Sequence, residues 1–212
     1  FNSVFGFVFS TVIAALLFVL YYVSRRNKFI FTRTLLLMGF SMLAWSIGNA
    51  LWMYLAAISA PTFISSADIL YFVASILLFV SLLSIPGSLP PSRRRNMVYV
   101  EISILVLSAT IIFSILLLVP GKPDLSYTPF TLIMVFIYPV LDIILIWIIM
   151  ILIFTYPLKS SQKVLSTLLI GSICFFFSDL MYLINSIYEP LIDDFLADTG
   201  YYAFYTTFLL SG

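Results

Sequence analysis

Long apolar segments, separated by short polar connections, are the feature that most restricts how this chain of 212 residues can fold. The first six of seven such segments reach or approach the roughly 20 residues that a helix needs to cross the hydrocarbon core of a bilayer. Backbone polar groups in lipid must be satisfied within the segment, which favours helices. The sequence therefore predicts an all-α membrane protein with seven transmembrane helices, at about 1–23, 34–58, 67–86, 97–119, 131–156, 164–187 and 200–212.

The composition narrows the classes of function. Charged residues make up 9% of the chain and hydrophobic residues 63%, a balance that soluble domains do not have. The chain contains no histidine, its single cysteine, Cys174, lies in an apolar run, and every lysine lies in a connection. These facts argue against haem, transition-metal, disulfide and retinal chemistry. We therefore expect no catalysis within the chain, no cofactor and no nucleic-acid partner.

The basic residues mark one side of the predicted bundle. All except Lys122 follow the first, third and fifth helices: Arg25, Arg26, Lys28, Arg33, Arg93, Arg94, Arg95, Lys159 and Lys163. The connections on the opposite side carry Asp124, Glu189, Asp193, Asp194 and Asp198. Because cytoplasmic loops are enriched in Lys and Arg, the sequence predicts an outside N-terminus, a cytoplasmic C-terminus and a multi-pass protein of the plasma membrane.

A faint internal repeat relates positions that lie 130 residues apart. The matched pairs are Trp45 and Phe175, Asn49 and Asp179, Trp52 and Tyr182, Asp68 and Asp198, Tyr71 and Tyr201, Ala67 and Ala197, and Arg33 and Lys163. This pattern predicts a parallel arrangement of three helices, one linking helix and three helices. Membrane proteins tend to place ligand sites between such repeats.

Polar and aromatic residues fall on single faces of the predicted helices. Trp45, Asn49 and Trp52 have the spacing i, i+4, i+7 in the second helix, which places them on one face. Asp179 and Tyr182 in the sixth helix are three residues apart, like Asn49 and Trp52. Ionisable residues within a bilayer are costly and commonly functional. These residues are therefore candidates for a ligand site.

The fifth and third helices supply the other candidates. Tyr138 and Asp142 share a face of the fifth helix, and Pro139 removes a backbone hydrogen bond beside them. Tyr71 lies on the third helix, one turn after Asp68.

Each of these residues also has a purely structural interpretation. Asn49, Asp142 and Asp179 are of the type that forms hydrogen bonds between membrane helices, and the Trp and Tyr residues are of the type that packs in cores or at the membrane interface. Asp68 follows Ser65 by three residues, which predicts a capping box at a helix start.

Four runs of the sequence resemble a known family: WSIGNALW (45–52), SADILYF (66–72), YPVLDIIL (138–145) and FSDLMYLI (177–184). They resemble the multi-helix membrane sensor region at the N-terminus of many bacterial and archaeal signalling proteins. Those proteins carry GGDEF, EAL or PAS–histidine-kinase modules after the membrane region. The resemblance implies sensory input coupled to a cytoplasmic kinase or cyclic-dinucleotide enzyme.

The main hypothesis is that residues 1–212 form one transmembrane sensor domain without catalytic activity. A small amphipathic or lipid-like ligand would enter from the outside or from the outer leaflet and sit between helices 2, 3, 5, 6 and 7. Candidate ligand-binding residues are Trp45, Asn49, Trp52, Tyr71, Tyr138, Asp142, Asp179 and Tyr182. Binding would shift the seventh helix and thereby signal to a cytoplasmic output domain.

The last apolar segment is shorter than a membrane span, so we expect the chain to continue beyond residue 212 into that output domain. Expected partners are this output domain, membrane lipids and, because kinase-linked receptors usually work as dimers, a second copy of the chain.

Two alternatives remain open at this point. One is a small transporter with three plus one plus three helices, similar to the sugar-carrying SWEET family. The other is a structural membrane subunit in which the polar residues only hold helices together.

Overall fold

The helices lie where the apolar segments predict them. The computed structural model describes residues 2–27, 31–59, 65–85, 93–118, 129–155, 159–187 and 194–211. They form α1 (Asn2–Arg26), α2 (Thr32–Ala57), α3 (Ser66–Leu83), α4 (Arg93–Leu118), α5 (Pro129–Thr155), α6 (Lys159–Ile187) and α7 (Asp194–Ser211). These ranges contain no strand, so the all-α prediction is confirmed for the part of the chain that the structure describes.

The largest difference from the sequence prediction is at the start of α7, which begins at Asp194 rather than at about residue 200. Asp194, Asp198 and Thr199 interrupt the apolar run before residue 200, so the predicted apolar segment does not include this part of the helix. Acidic residues are nevertheless favourable at a helix N-terminus, where the backbone N–H groups point outward.

Within the residues that the structure describes, five helices contain stretches that are long and apolar enough to cross a membrane: Val4–Arg26, Thr32–Ala57, Ser66–Leu83, Ile137–Phe154 and Gln162–Tyr182. α4 contains a shorter apolar stretch, Tyr99–Ser108. The outward faces of these helices carry large apolar side chains; Ile69 is 67% exposed and Phe154 is 60% exposed. Contiguous apolar surface of this kind suits contact with lipid, and we therefore describe the chain as a membrane protein.

The described helices form two compact units. Unit 1 contains α1, α2 and α3, and unit 2 contains α4, α5, α6 and α7. In unit 1, α2 packs against both α1 and α3. In unit 2, α6 packs against both α5 and α7, and α4 packs against α5.

Small residues and hydroxyl groups join the helices of unit 1. Ser41 of α2 donates a hydrogen bond to the carbonyl of Ala74 in α3 at 2.7 Å, and both residues are fully buried. The hydroxyl groups of Thr11 in α1 and Ser46 in α2 share a hydrogen bond of 2.6 Å. Small residues let the backbones approach closely, which is the usual basis of helix association in membranes.

The capping box predicted for α3 is confirmed. Ser65 accepts a hydrogen bond from the backbone N–H of Ala67, and the Asp68 carboxylate accepts one from the backbone N–H of Ser65 at 2.7 Å. This arrangement satisfies two backbone donors that would otherwise lack partners at the helix start. It also gives Asp68 a structural role. The equivalent residue in the repeat, Asp198, has a side chain outside the described part of the structure.

Aromatic packing holds the helices of unit 2 together. The ring of Phe175 in α6 lies 4.7 Å from that of Phe204 and 5.0 Å from that of Tyr201, both in α7. A hydrogen bond joins the other two helices of the unit, α4 and α5: the indole N–H of Trp147 in α5 donates to the hydroxyl of Ser103 in α4 at 3.2 Å.

Two glycines allow α6 and α7 to approach each other. A Cβ atom at Gly171 would collide with Thr207, and one at Gly200 would collide with the Ser178 hydroxyl and with the backbone carbonyl of Cys174. The second collision is the more severe, because a backbone carbonyl cannot rotate away.

Gly200→Ala is expected to lower the stability of unit 2 by about 1–3 kcal/mol, the usual cost of forcing extra volume into a packed interface. Gly6→Ala is the matched control, because a Cβ there would lie at an ordinary 3.4 Å from Asn49. Thermal unfolding of the purified chain in detergent measures both effects. Equal unfolding midpoints for the two variants would contradict the close approach of α6 and α7.

Candidate functional site

A polar cluster in unit 1 is centred on Asn49 of α2. Tyr71 of α3 donates its hydroxyl proton to Asn49 Oδ1 at 2.9 Å, and Asn49 Nδ2 donates to the hydroxyl of Ser10 in α1 at 3.4 Å. One side chain on the central helix therefore links all three helices of the unit. Both ends of the amide are used in this way, which is the structural role considered for Asn49 from the sequence.

The ring of Tyr71 reaches Asn49 because α2 has no side chain at the point where the ring lies. A Cβ atom at Gly48 would lie only 2.7 Å from Tyr71 Cε1. Trp45, one turn earlier on the same face of α2, has its ring centre 6.2 Å from that of Tyr71. Trp45 is buried, so the cluster has one apolar wall.

A second polar cluster, in unit 2, is centred on Asp179 of α6. The hydroxyl of Tyr201 in α7 donates to Asp179 Oδ1. From the other side, Asp142 of α5 places its carboxyl group close enough to interact with that of Asp179. Tyr182 lies one turn along α6, with its ring centre 5.7 Å from that of Tyr201.

The two carboxyl groups of unit 2 are shielded from solvent. Asp142 is 4% exposed and Asp179 is 9% exposed. Asp142 Oδ2 is buried and has no hydrogen-bond partner. A buried acceptor without a donor is uncommon and costs free energy, so it needs an explanation such as a bound group. This oxygen atom is the strongest local indication that the cluster is open to a further binding partner.

The described basic side chains are not buried. Arg25, Arg26, Arg33 and Lys163 are all exposed. Among the described residues, no group of three or more His, Cys, Asp or Glu side chains could hold a metal ion. The clustered groups are therefore two carboxyls and the aromatic rings and hydroxyls of tyrosines.

The two clusters use the same contact. In each unit a tyrosine donates to a polar residue that lies 22 positions earlier, on the preceding helix. An aromatic residue one turn before the polar one, Trp45 or Phe175, packs against the tyrosine ring in each case. The units differ in chemistry, because unit 1 uses an amide and a serine where unit 2 uses two carboxyl groups.

The structure groups most of the predicted ligand-binding residues, but in two clusters. Unit 1 brings together Trp45, Asn49 and Tyr71, and unit 2 brings together Asp142, Asp179 and Tyr182. Trp52 shares the face of Trp45 and Asn49 but is 36% exposed. Tyr138 is half-buried on α5, one turn before Asp142.

Sequence analysis did not select two residues that prove central to the clusters. Tyr201 was the partner of Tyr71 in the repeat, and this match was the indication that could have placed it in the site. Ser10 carries no such indication, because it is one small polar residue within an apolar helix.

Comparison of the chain with protein-family models, with curated proteins and with solved structures found no match. The functional interpretation therefore depends on the clusters themselves.

Removing the tyrosine hydroxyls is expected to weaken each unit separately. Tyr71→Phe removes a neutral hydrogen bond, at a cost of about 1 kcal/mol, and Tyr201→Phe removes one to a carboxyl group, at about 2 kcal/mol. Tyr22→Phe serves as the control, since Tyr22 is 69% exposed. Unfolding free energies from denaturation in mixed micelles measure the three effects. A larger loss for Tyr22→Phe than for Tyr201→Phe would contradict the proposed contacts.

Proposed function

We propose that this chain is the transmembrane sensor domain of a signalling receptor and that its ligand binds at the acid pair of unit 2. The observation that carries the proposal is the buried, unpartnered oxygen of Asp142 beside Asp179. One ionised carboxylate at the centre of a membrane helix costs about 3 kcal/mol on insertion scales. Asp142 lies within the stretch Ile137–Phe154, and Asp179 lies near the end of Gln162–Tyr182. Two adjacent buried carboxyl groups in apolar helices are a costly feature for a protein that needs only to hold helices together.

Unit 1 supports this interpretation by comparison. Its three helices are linked through Asn49 with no ionisable group at the equivalent position. The helices of unit 1 are therefore joined without a pair of acids at this position. The carboxyl groups of Asp142 and Asp179 therefore do more than join helices, because they accept hydrogen bonds from the donor groups of a ligand.

The contact between Asp179 and Tyr201 offers a route for the signal. A ligand head group that donates hydrogen bonds to the acid pair competes with the Tyr201 hydroxyl for Asp179. Loss of that contact loosens α7 from α6, and α7 is the helix that would lead to an output domain. The ligand drives this change only if it binds the loosened arrangement more tightly than the closed one.

The proposed orientation has seven membrane crossings, with the N-terminus outside and the C-terminus in the cytoplasm. Arg25 and Arg26 end α1 and Arg33 lies in the first turn of α2, where all three are exposed. An excess of positive charge at the ends of membrane helices is characteristic of the cytoplasmic side.

Single cysteines test this orientation in a Cys174→Ser background. Asn27→Cys, at the end of α1, is expected to resist a membrane-impermeant thiol reagent applied to intact cells. Ser59→Cys, after α2, is expected to react, since Asn27 and Ser59 are both exposed. The opposite labelling pattern would reverse the orientation, and equal labelling would contradict a crossing by α2.

Ligand binding is tested with three amphiphiles of equal chain length: decanol, decylamine and decanoate. Because carboxyl groups bind donors, decanol and decylamine are expected to remain bound in native mass spectrometry and decanoate to dissociate. Asp179→Ala is expected to weaken retention about tenfold, which corresponds to about 1.4 kcal/mol. Asp68→Ala is the matched control, since Asp68 caps α3. Equal retention by both variants would rule out the acid pair as the site.

A transporter is the second candidate, because the same contact from a tyrosine to a polar residue on the preceding helix occurs in both units. Transporters commonly contain such repeats. Proteoliposomes distinguish the two functions. A receptor domain binds the amphiphile without moving it across the bilayer, whereas a transporter shows saturable uptake that is lost in Asp179→Ala.

A further inference from the structure

The acid pair of unit 2, Asp142 and Asp179, is buried without a described basic partner. The carboxyl groups of Asp142 and Asp179 interact directly, both side chains are buried, and the described lysine and arginine side chains are exposed. Two ionised carboxylates in contact repel each other strongly in a medium of low dielectric constant. A bound positive charge relieves this repulsion.

We propose that Asp142 and Asp179 form a proton-binding site that holds one proton between them. A hydrogen bond between two carboxyl groups requires a proton on one of them, because ionised carboxylates only accept. The proposal rests on the function proposed above and adds to it that the proton is a ligand of the same site. A proton also satisfies the charge requirement without needing a cavity or further ligand atoms.

The contacts of the pair indicate which carboxyl group carries the proton. Asp179 accepts a hydrogen bond from Tyr201, which stabilises its ionised form. Asp142 has Asp179 as its neighbour and leaves Oδ2 without a partner. An unpartnered oxygen costs less on a neutral acid than on an anion, so the proton resides on Asp142 and bonds to Asp179.

The other titratable groups around the pair are tyrosines. Tyr138 lies one turn away on α5, Tyr182 lies on α6 beside Asp179, and Tyr201 reaches across from α7. On α4, which packs against α5, the described titratable side chains are a partly buried tyrosine, Tyr99, and an exposed Glu101. Among the described residues, none of these neighbours is basic.

Proton exchange at this site acts on both neighbours of α6. Removing the proton from Asp142 makes α5 and α6 repel each other through their carboxylates. Adding a proton to Asp179 weakens its bond to Tyr201 and so loosens α7. The number of protons on the pair therefore biases the same α6–α7 contact that the proposed ligand competes for.

Infrared spectroscopy of the purified chain in lipid nanodiscs tests the site directly. A protonated carboxylic acid gives a C=O stretching band that shifts in D₂O, and the wild-type chain is expected to show it at neutral pH and to lose it in alkali. Asp142→Asn keeps the shape of the side chain and is expected to abolish the band. Asp142→Ser, which copies the serine of unit 1, is a second variant and is expected to do the same.

Asp68→Asn is the control, because it makes the same chemical change at the cap of α3, and it is expected to retain the band. A band that persists in both Asp142 variants would overturn the proposal. A wild-type band that appears only when Na⁺ is replaced by a bulky organic cation would also overturn it, in favour of a metal ion.

The decylamine and decanol measurements separate this proposal from the proposed function. Amphiphile binding that depends on Asp179 in a chain without the infrared band would overturn the proton site and leave the ligand site standing. A titrating band in a chain that retains no amphiphile would support the proton site and contradict the ligand site.

Discussion

Each unit of this protein depends on one interaction, the hydrogen bond from a tyrosine hydroxyl to a polar side chain on the preceding helix. Tyr71 makes it to Asn49, and Tyr201 makes it to Asp179. Apolar side chains gain little by exchanging lipid for a neighbouring helix, so close packing and hydrogen bonds between helices decide how membrane helices associate. The absence of a side chain at Gly48 is what allows the Tyr71 ring to lie against α2 and reach its acceptor.

The acceptor of this hydrogen bond differs between the two units. In unit 1 the acceptor is an amide whose other end is bonded to Ser10, which leaves a satisfied and uncharged link. In unit 2 the acceptor is a carboxyl group that also meets Asp142. Asp179 therefore lies between two helix interfaces, and a change in its charge or its partners acts on both at once. Packed interfaces of this kind tend to switch between discrete arrangements rather than deform gradually, which suits a receptor domain.

Several features of the fold could be predicted without the structure. The helices follow from the apolar segments, because a helix satisfies its own backbone polar groups. The capping box of Ser65 and Asp68 follows from a three-residue spacing, because capping is local. The repeat paired Tyr71 with Tyr201 by position alone. The start of α7 could not be predicted in the same way, since Asp194, Asp198 and Thr199 interrupt the apolar pattern there.

The sequence by itself determined which segments are helical and which residues share a face, because both depend only on the period of the α-helix. Only the tertiary structure decided that Asn49 is bonded to Ser10, that Asp142 meets Asp179, and that one oxygen of Asp142 has no partner. These contacts depend on how far each helix is rotated about its axis and shifted along it. The rotation and shift of each helix result from many weak packing contacts between distant parts of the chain. A local sequence pattern therefore cannot predict them.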